Sequence, residues 1–294
     1  MENAPRELRV GLPSGSLQEP TIALFAKAGF HIAAPNRSYK PRVNDPELAI
    51  RLLRAQEISR YVEHGFLDCG LTGKDWIANN DSDVAVLAEM TFSKVSSSPT
   101  RWVIAVAEDS DIRTVKDLQG KVIATEAVEL TRAFLWKHGV QAEVEFSWGA
   151  TEVKVPDLVD AIADVTETGS SLRANGLRIL ETMMESSPQF IANHQALEDP
   201  WKKAKIEGLL MLLQGAYNAR GKVGLKMNLP LDQLPKLMAS LPALRNPTIA
   251  QLAIEGWIAV ETIMDESIVR EIIPQLKALG AEGIIEYPLN KVVY

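Results

Sequence analysis

The stretch Asp160-Ala-Ile-Ala-Asp164-Val-Thr-Glu-Thr-Gly169-Ser-Ser-Leu-Arg-Ala-Asn175-Gly176 decides how the rest of this chain is read. An apolar run (Ala161, Ile162, Ala163, Val165) carries the carboxylates Asp160 and Asp164. A small-residue turn, Thr168-Gly169-Ser170-Ser171, follows it and leads into a helical pattern set by Leu172, Leu177 and Leu180. Strand, small turn and helix together present several backbone N–H groups to one anion. Glycine admits close approach, the hydroxyls add donors, and the helix start carries partial positive charge. An acidic residue just ahead of the turn can accept hydrogen bonds from sugar hydroxyls. The combination reads as a cradle for a ribose 5-phosphate. The same turn is also how an ordinary helix is capped. It lacks the lysine of a P-loop and the triple glycine of a dinucleotide fingerprint, so neither nucleotide fold is indicated.

Working outward, the pattern alternates. Leu8 to Leu12 reads as a short buried strand, Pro13-Ser14-Gly15-Ser16 as a turn, and Thr21 to Gly29 as a helix ending at glycine. Ile50 to His64 is a mixed stretch that becomes helical with Ile58, Tyr61 and Val62 on one face, and Phe66 to Asp75 reads as a strand entering a polar turn before Trp76 and Ile77. After the polar tract Ser96 to Pro99, Trp102 to Ala107 is a continuous apolar strand. Short helix, strand, helix and strand follow before the opening stretch, the order of a mainly parallel sheet flanked by helices. Gln189 to Asn193 reads as a strand returning to the first domain, and Pro200 to Tyr217 as a helix. The last segment differs: a strand from Val223, a helical pattern at Leu231, Leu234, Met238 and Leu241, two extended runs, a second helix ending at Gly280, and a closing strand. That βαββαβ order is the ferredoxin-like arrangement.

At 294 residues and 46% hydrophobic content the chain has room for two or three domains. No apolar run reaches the roughly 18 residues of a membrane span. MENAPRELRV has neither the basic start nor the apolar core of a signal peptide, and Cys69 is the single cysteine. Both observations lead to the expectation of a cytoplasmic protein with Cys69 as a small buried residue. A net charge of -7 argues against a nucleic-acid binder, and His31, His64, His138 and His194 are too dispersed for structural zinc.

In this order the motifs GLPSGSL, YVEHGFLDCGLTGKD, KVIATEAVELTR, ATEVKVPDLVDAIADVTETGSSLRANGL and NPTIAQL resemble the ATP phosphoribosyltransferase family in its long form. The resemblance spans almost the whole chain. It implies two periplasmic-binding-protein-like α/β lobes, residues 1–100 plus 190–220 and residues 101–189, with a ferredoxin-like regulatory domain at 221–294. It also implies a reaction in which adenine N1 of ATP attacks the anomeric carbon of 5-phosphoribosyl 1-pyrophosphate and pyrophosphate leaves with Mg2+. Histidine would inhibit at the last module, and the assembly would be a homo-oligomer, dimer or hexamer. Such chemistry needs orientation and charge stabilisation more than a protein nucleophile, and no Ser/His/Asp or Cys/His constellation is recognisable.

The resemblance assigns the 5-phosphate to Thr168, Gly169, Ser170, Ser171 and Leu172, and the ribose hydroxyls to Asp164, with Glu167 as the alternative or a plain turn residue. Glu152, within TEVKVP, is a second candidate catalytic group or a surface strand position. Leu12, Gly15 and Ser16, with Asp68, Gly70, Leu71 and Thr72, would form the opposing wall for ATP. Here Ser14 and Ser16 replace the two basic residues of the family's Pro-Lys-Gly-Arg-Leu pattern, so the positive charge must come from elsewhere. Arg54 is assigned to ATP, beside Lys74, Arg101 and Arg132 as candidates; Arg173 follows the phosphate loop or is an exposed helix residue. Asn228 and Thr248 are the candidate histidine contacts, or routine turn residues. No protein ligand for the metal is identified, because pyrophosphate oxygens can hold magnesium. A solute-binding or sensor protein, and a catalytically silent regulatory paralogue, are the competing readings.

Overall fold

A computed structural model describes residues 6–33, 38–90, 100–240 and 247–294. The polar tract at 96–99 and the helical position at 241 lie outside these residues. The first elements are β1 (Leu8–Pro13), α1 (Gln18–Ala28), β2 (Ile32–Ala33), β3 (Arg42–Val43), β4 (Leu48–Leu53) and α2 (Ala55–Glu63). Next come β5 (Cys69–Gly73), α3 (Lys74–Asn80), β6 (Ala85–Glu89), β7 (Thr100–Ala107), β8 (Val122–Thr125) and α4 (Val128–Lys137). They lead to β9 (Glu143–Phe146), β10 (Ala161–Thr166), α5 (Ser170–Ala174), β11 (Leu177–Ser186) and β12 (Pro188–Ala192). After α6 (His194–Glu198) and α7 (Pro200–Asn218) come β13 (Lys222–Pro230), α8 (Leu234–Ser240), β14 (Thr248–Gln251), β15 (Trp257–Asp265), α9 (Glu266–Ala278) and β16 (Glu282–Pro288).

The chain divides into two compact units, one within residues 1–22 and 31–207, the other within 23–30 and 208–294. The first unit holds two five-stranded sheets, ordered β4-β1-β5-β12-β6 and β11-β7-β10-β8-β9. In the first sheet β4, β1 and β5 run parallel, while β12 is antiparallel to its neighbours. In the second, β10, β8 and β9 are parallel and β7 runs against β10 and β11. Strands covered on both faces read as unbroken apolar runs, which is why Trp102 to Ala107 is buried throughout. The chain passes from the first sheet to the second between β6 and β7, and returns between β11 and β12. These are two α/β lobes, each built on a five-stranded mixed sheet.

One expectation is corrected. Leu177 and Leu180 do not continue the helix that starts at Ser170: α5 is five residues long, and Leu177 opens the ten-residue strand β11. Gly176, at φ +70°, reverses the backbone after Asn175, and the following residues pair antiparallel with β7. A leucine spacing of five and eight cannot discriminate between a helix face and an inward strand face once a turn intervenes.

In the second unit the observed order β13-α8-β14-β15-α9-β16 is βαββαβ, with the four strands in the antiparallel order β14-β15-β13-β16. Leu225, Met227, Leu229, Ile258 and Val260 pack with Leu237 of α8 and Val269, Ile272 and Leu276 of α9. The opposite sheet face carries Lys226, Asn228 and Glu261 among the apolar Ala259, Ile263 and Ile285.

Candidate active site

Within the first unit the two sheets flank a cleft of about 540 Å³. Ser14, Gly15, Ser16, Arg54 and Asp75 line it from the first sheet and its helices. Thr100, Trp102, Glu126, Thr151, Asp164 and Glu167 line it from the second. Asp164 sits near the C-terminal end of β10, the end of a parallel strand where open α/β sheets bind ligands. Its Oδ1 accepts the Val165 N–H at 2.7 Å. Burial pushes the Asp164 carboxyl up to about 6, the negative charges of Glu152 and Glu126 add to the rise, and hydrogen bonds from Val165 and Thr151 partly offset it.

The turn after β10 is tied by its own hydroxyls. Gly169 adopts φ +73° and donates its N–H to Thr166 Oγ1 at 2.8 Å; Thr168 Oγ1 donates to Ser170 Oγ at 3.0 Å. Arg173 reaches back, Nη1 to the Thr168 carbonyl at 3.1 Å. Glu152, on a short 3-10 turn, accepts the Ser171 hydroxyl at 2.6 Å and so holds the loop from outside. Leu172 is buried among Val103, Ala105 and Ile162, which leaves only its backbone to serve a ligand. Thr168 to Leu172 lie beyond the cleft lining, whereas Asp164 and Glu167 face it.

The first turn brings Ser14, Gly15 and Ser16 to the cleft without a cation of its own. Arg54, which starts α2, places Nη1 3.5 Å from where a Cβ on Gly15 would stand. Positive charge therefore does lie against this turn, from another element. Lys74 and Arg101 are not part of the lining, and Arg132 pairs with Glu129 on α4 at 2.7 Å.

The remaining residues of the expected ATP wall are elsewhere. Leu12 and Leu71 are interior residues of β1 and β5. Gly70 packs so closely that a Cβ would stand 2.8 Å from the Gly11 carbonyl. Thr72 is buried and donates its hydroxyl to the Ala55 carbonyl at 2.7 Å. Asp68 is buried and accepts from Arg9 Nε at 3.1 Å, Arg9 Nη2 at 2.7 Å and Lys202 Nζ at 2.8 Å. Burial alone would raise its pKa, but the Arg9 and Lys202 hydrogen bonds outweigh that and hold it below the usual carboxylate range. For Gly70, Leu71 and Thr72 the reason is shared: β5 is a central strand, so a polar side chain on it meets a fixed partner instead of solvent, and Asp68 stands one residue before that strand. Cys69, on the same strand, is buried, and burial pushes its thiol up.

Asp75 is the main residue that sequence reasoning missed. Its buried carboxylate accepts the Trp102 indole N–H at 2.6 Å and the Ser186 hydroxyl at 2.8 Å, and Trp76 meets Trp102 edge to face with ring centroids 5.8 Å apart. Asp75 and Trp76 belong to α3, Trp102 and Ser186 to β7 and β11, so this cluster joins the two lobes at the cleft. The LTGKD turn was its only sequence signal.

In the second unit Asn228 pairs with Ala259 and Thr248 with Glu261 across β15. Residues 259 and 261 alternate with buried Ile258 and Val260, so Asn228 and Thr248 share the outer sheet face with Glu261. Tyr287 donates its hydroxyl to Glu261 there. Among the described residues no group of three or more His, Cys, Asp or Glu could hold a metal ion, and no helix is long and apolar enough to cross a membrane.

Fold and cleft together define the class: a two-lobed α/β protein with a polar ligand cleft between its lobes and a ferredoxin-like module after it. Comparison with known proteins then gives the family. The family model described as HisG, ATP phosphoribosyltransferase, matches residues 54–215, and that of the HisG C-terminal domain matches residues 219–291. An ATP phosphoribosyltransferase of Chlorobium chlorochromatii (strain CaD3) is 58% identical over 293 residues, 100% of both chains. One from Solibacter usitatus (strain Ellin6076) is 56% identical over 286 residues, 97% of this chain and 99% of its own. A solved chain of the ATP phosphoribosyl transferase (HisG:HisZ) complex from Thermotoga maritima shares the fold at TM-score 0.60 and 22% identity, over 70% of this chain and 98% of its own. The chain belongs to the ATP phosphoribosyltransferase family, and it is a phosphoribosyltransferase.

Proposed function

We propose that this chain joins ATP to 5-phosphoribosyl 1-pyrophosphate, giving N1-(5-phosphoribosyl)-ATP and pyrophosphate, the first step of histidine biosynthesis, with histidine as feedback inhibitor. The observation that carries the site assignment is Asp164: a half-buried carboxylate facing the cleft, directly ahead of a loop braced by Glu152 and Ser171. Asp164 accepts the ribose hydroxyls, with Glu167 beside it. Thr168, Gly169, Ser170, Ser171 and the Leu172 backbone hold the 5-phosphate. As the bond from the anomeric carbon to pyrophosphate breaks, its electron pair leaves with pyrophosphate, and the adenine N1 lone pair forms the new bond. Positive charge that builds on the sugar meets the carboxylates of Asp164 and Glu126, fixed in a site where charge acts more strongly than in water, while Glu152 braces the loop through Ser171.

Magnesium keeps several waters and takes one or two carboxylates plus phosphate oxygens. The cleft residues fit that habit: Asp164 and Glu126 would hold it beside the pyrophosphate, whose charge it would neutralise. Arg54, with Gly15 and Ser16, supports the ATP side. Asn228 and Thr248, on one face of the ferredoxin-like sheet, are the proposed histidine contacts, in a cytoplasmic homo-oligomer. Membership of the family does not favour the solute-binding and silent-paralogue readings.

Purified protein with ATP, phosphoribosyl pyrophosphate and magnesium is expected to give an ultraviolet absorbance rise from N1-substituted adenine. Added histidine is expected to suppress it, and Thr248→Ala to blunt that suppression. Folded protein without turnover across pH and magnesium concentrations overturns the reading.

A further inference from the structure

We propose that Asn79 is a latch between the two lobes: it caps helix α4 from across the cleft, so that closing the lobes completes the helix start and sets Glu126 in place. The inference rests on the proposed reaction, whose two substrates would close the cleft.

The argument starts from a helix that cannot cap itself. The first N–H groups of a helix lack intrahelical acceptors, and the N-cap side chain ordinarily accepts one from the second or third helical residue. In α4 the N-cap residue is Ala127, which has no acceptor on its side chain. The Thr131 N–H is bonded within the helix, to the Ala127 carbonyl. The N–H of Leu130, the third helical residue, is accepted instead by Asn79 Oδ1 at 3.1 Å. Asn79 stands 51 positions away, on α3 of the other lobe. It makes the bond of an N-cap, supplied from across the cleft.

Its place on α3 separates a pivot from a latch. Asp75 and Asn79 are four residues apart, so they share one face of α3, about 6 Å apart along its axis. Asp75 holds Trp102 and Ser186, and these stand beside the two crossovers, near the start of β7 and at the end of β11. Contacts next to a hinge survive its motion. Asn79, one turn farther along α3, reaches α4, which adjoins neither crossover in the chain. A small apolar layer drawn from both lobes accompanies this pair. Trp76 and Ala55 come from the first, and Trp102, Ala127, Leu130, Met183 and Met184 from the second. Opening the lobes would wet that layer and uncap α4 together.

The latch bears on the site through Glu126. This carboxylate lines the cleft and directly precedes Ala127, so the start of α4 determines where it stands. Gln56 Nε2 of the first lobe approaches its Oε2 at 3.5 Å, a second contact across the lobes at the same point. A carboxylate already in position needs no reorganisation as charge develops. Asn79 is thus a positioning residue, acting through the helix start.

Amide exchange at Leu130, read by mass spectrometry on overlapping peptides across 126–137, tests the latch in the full-length wild type, Asn79→Ala and Asn79→Asp. ATP with magnesium and phosphoribosyl pyrophosphate are the probes, and calorimetry records whether each binds. In the wild type both probes are expected to slow Leu130 exchange. Asn79→Ala is expected to speed it about fivefold in the free protein, the usual worth of one helix cap, and to lose the slowing. Asp keeps the acceptor, so Asn79→Asp retains the slowing. In the turnover assay Asn79→Ala raises the KM for both substrates by one common factor, up to about fivefold, because both bind the same closed cleft. Asn79→Asp restores both. Binding without any change in Leu130 exchange shows a fixed helix cap and overturns this inference alone. So does a KM that rises for ATP only, since Asn79 also lines the cavity adjoining the cleft and would then be a substrate contact. Failure of the wild type to bind either probe overturns it together with the proposed function.

Discussion

Replacing Asp164 by Asn separates what the carboxylate does in the reaction from what it does to the folded protein. Its pKa lies at about 6 against an ordinary 3.8, a difference of about two units. At 1.36 kcal/mol per unit that is about 3 kcal/mol, and the partial exposure of the group discounts it to about 1–2 kcal/mol. The sign follows from linkage. The unfolded chain releases this proton near 3.8 and the folded protein only near 6, so stability is lost as pH rises through that interval. Below it the penalty is absent; above it the penalty is complete. Asn keeps an acceptor for the Val165 N–H and carries no charge. At pH 8 the variant should therefore be the more stable protein by about 1–2 kcal/mol, with the gap closing steadily towards pH 4. Urea unfolding followed by the fluorescence of Trp76 and Trp102, in the same unit, measures this. The same variant should lose most of its kcat/KM, and the wild-type kcat/KM profile should show an acid limb near 6. A variant less stable at pH 8, or a gap that does not change with pH, would refute the claim that the site holds a desolvated charge.

Asp68→Ala removes the acceptor of Arg9 and Lys202, and should lower stability by about 1–3 kcal/mol, since the two cations that lose their partner remain partly solvated at 37% and 27% exposure. The KM for ATP should stay as it was; a raised KM with full stability would return Asp68 to the substrate wall. Gly169→Val forces a β-branched residue to φ +73° with its Cβ 3.0 Å from Arg173 Nη1, and should cut kcat/KM for phosphoribosyl pyrophosphate about tenfold or more. An unchanged steady-state rate would show that the loop does not hold the phosphate.

What the sequence made legible is what is local. Ala161 to Gly169 contains its own strand, turn and carboxylate within a few residues, and the βαββαβ tail alternates in plain order, so both could be read without knowing any neighbour. What stayed illegible shares a physical cause. Asp68 and Thr72 look like ligand groups because they are polar beside a small-residue turn, yet Thr72 lies on a central strand, Asp68 just before it, and their partners are Arg9, Lys202 and the Ala55 carbonyl. Asp75 looked like a helix start, and its meaning comes from Trp102 and Ser186, which are 27 and 111 positions away. Such pairings are set by strand order, which no periodicity encodes. The missing cations at Ser14 and Ser16 follow the same logic from the other side. A motif records charge by position in the chain, whereas a phosphate feels it by position in space, and Arg54 stands against Gly15 although it is 39 positions away (54 minus 15). Arg54 thus brings positive charge to this turn from the start of α2, and Arg54→Ala is expected to raise the KM for ATP, measured in the turnover assay; an unchanged KM would show that this charge does not serve the nucleotide.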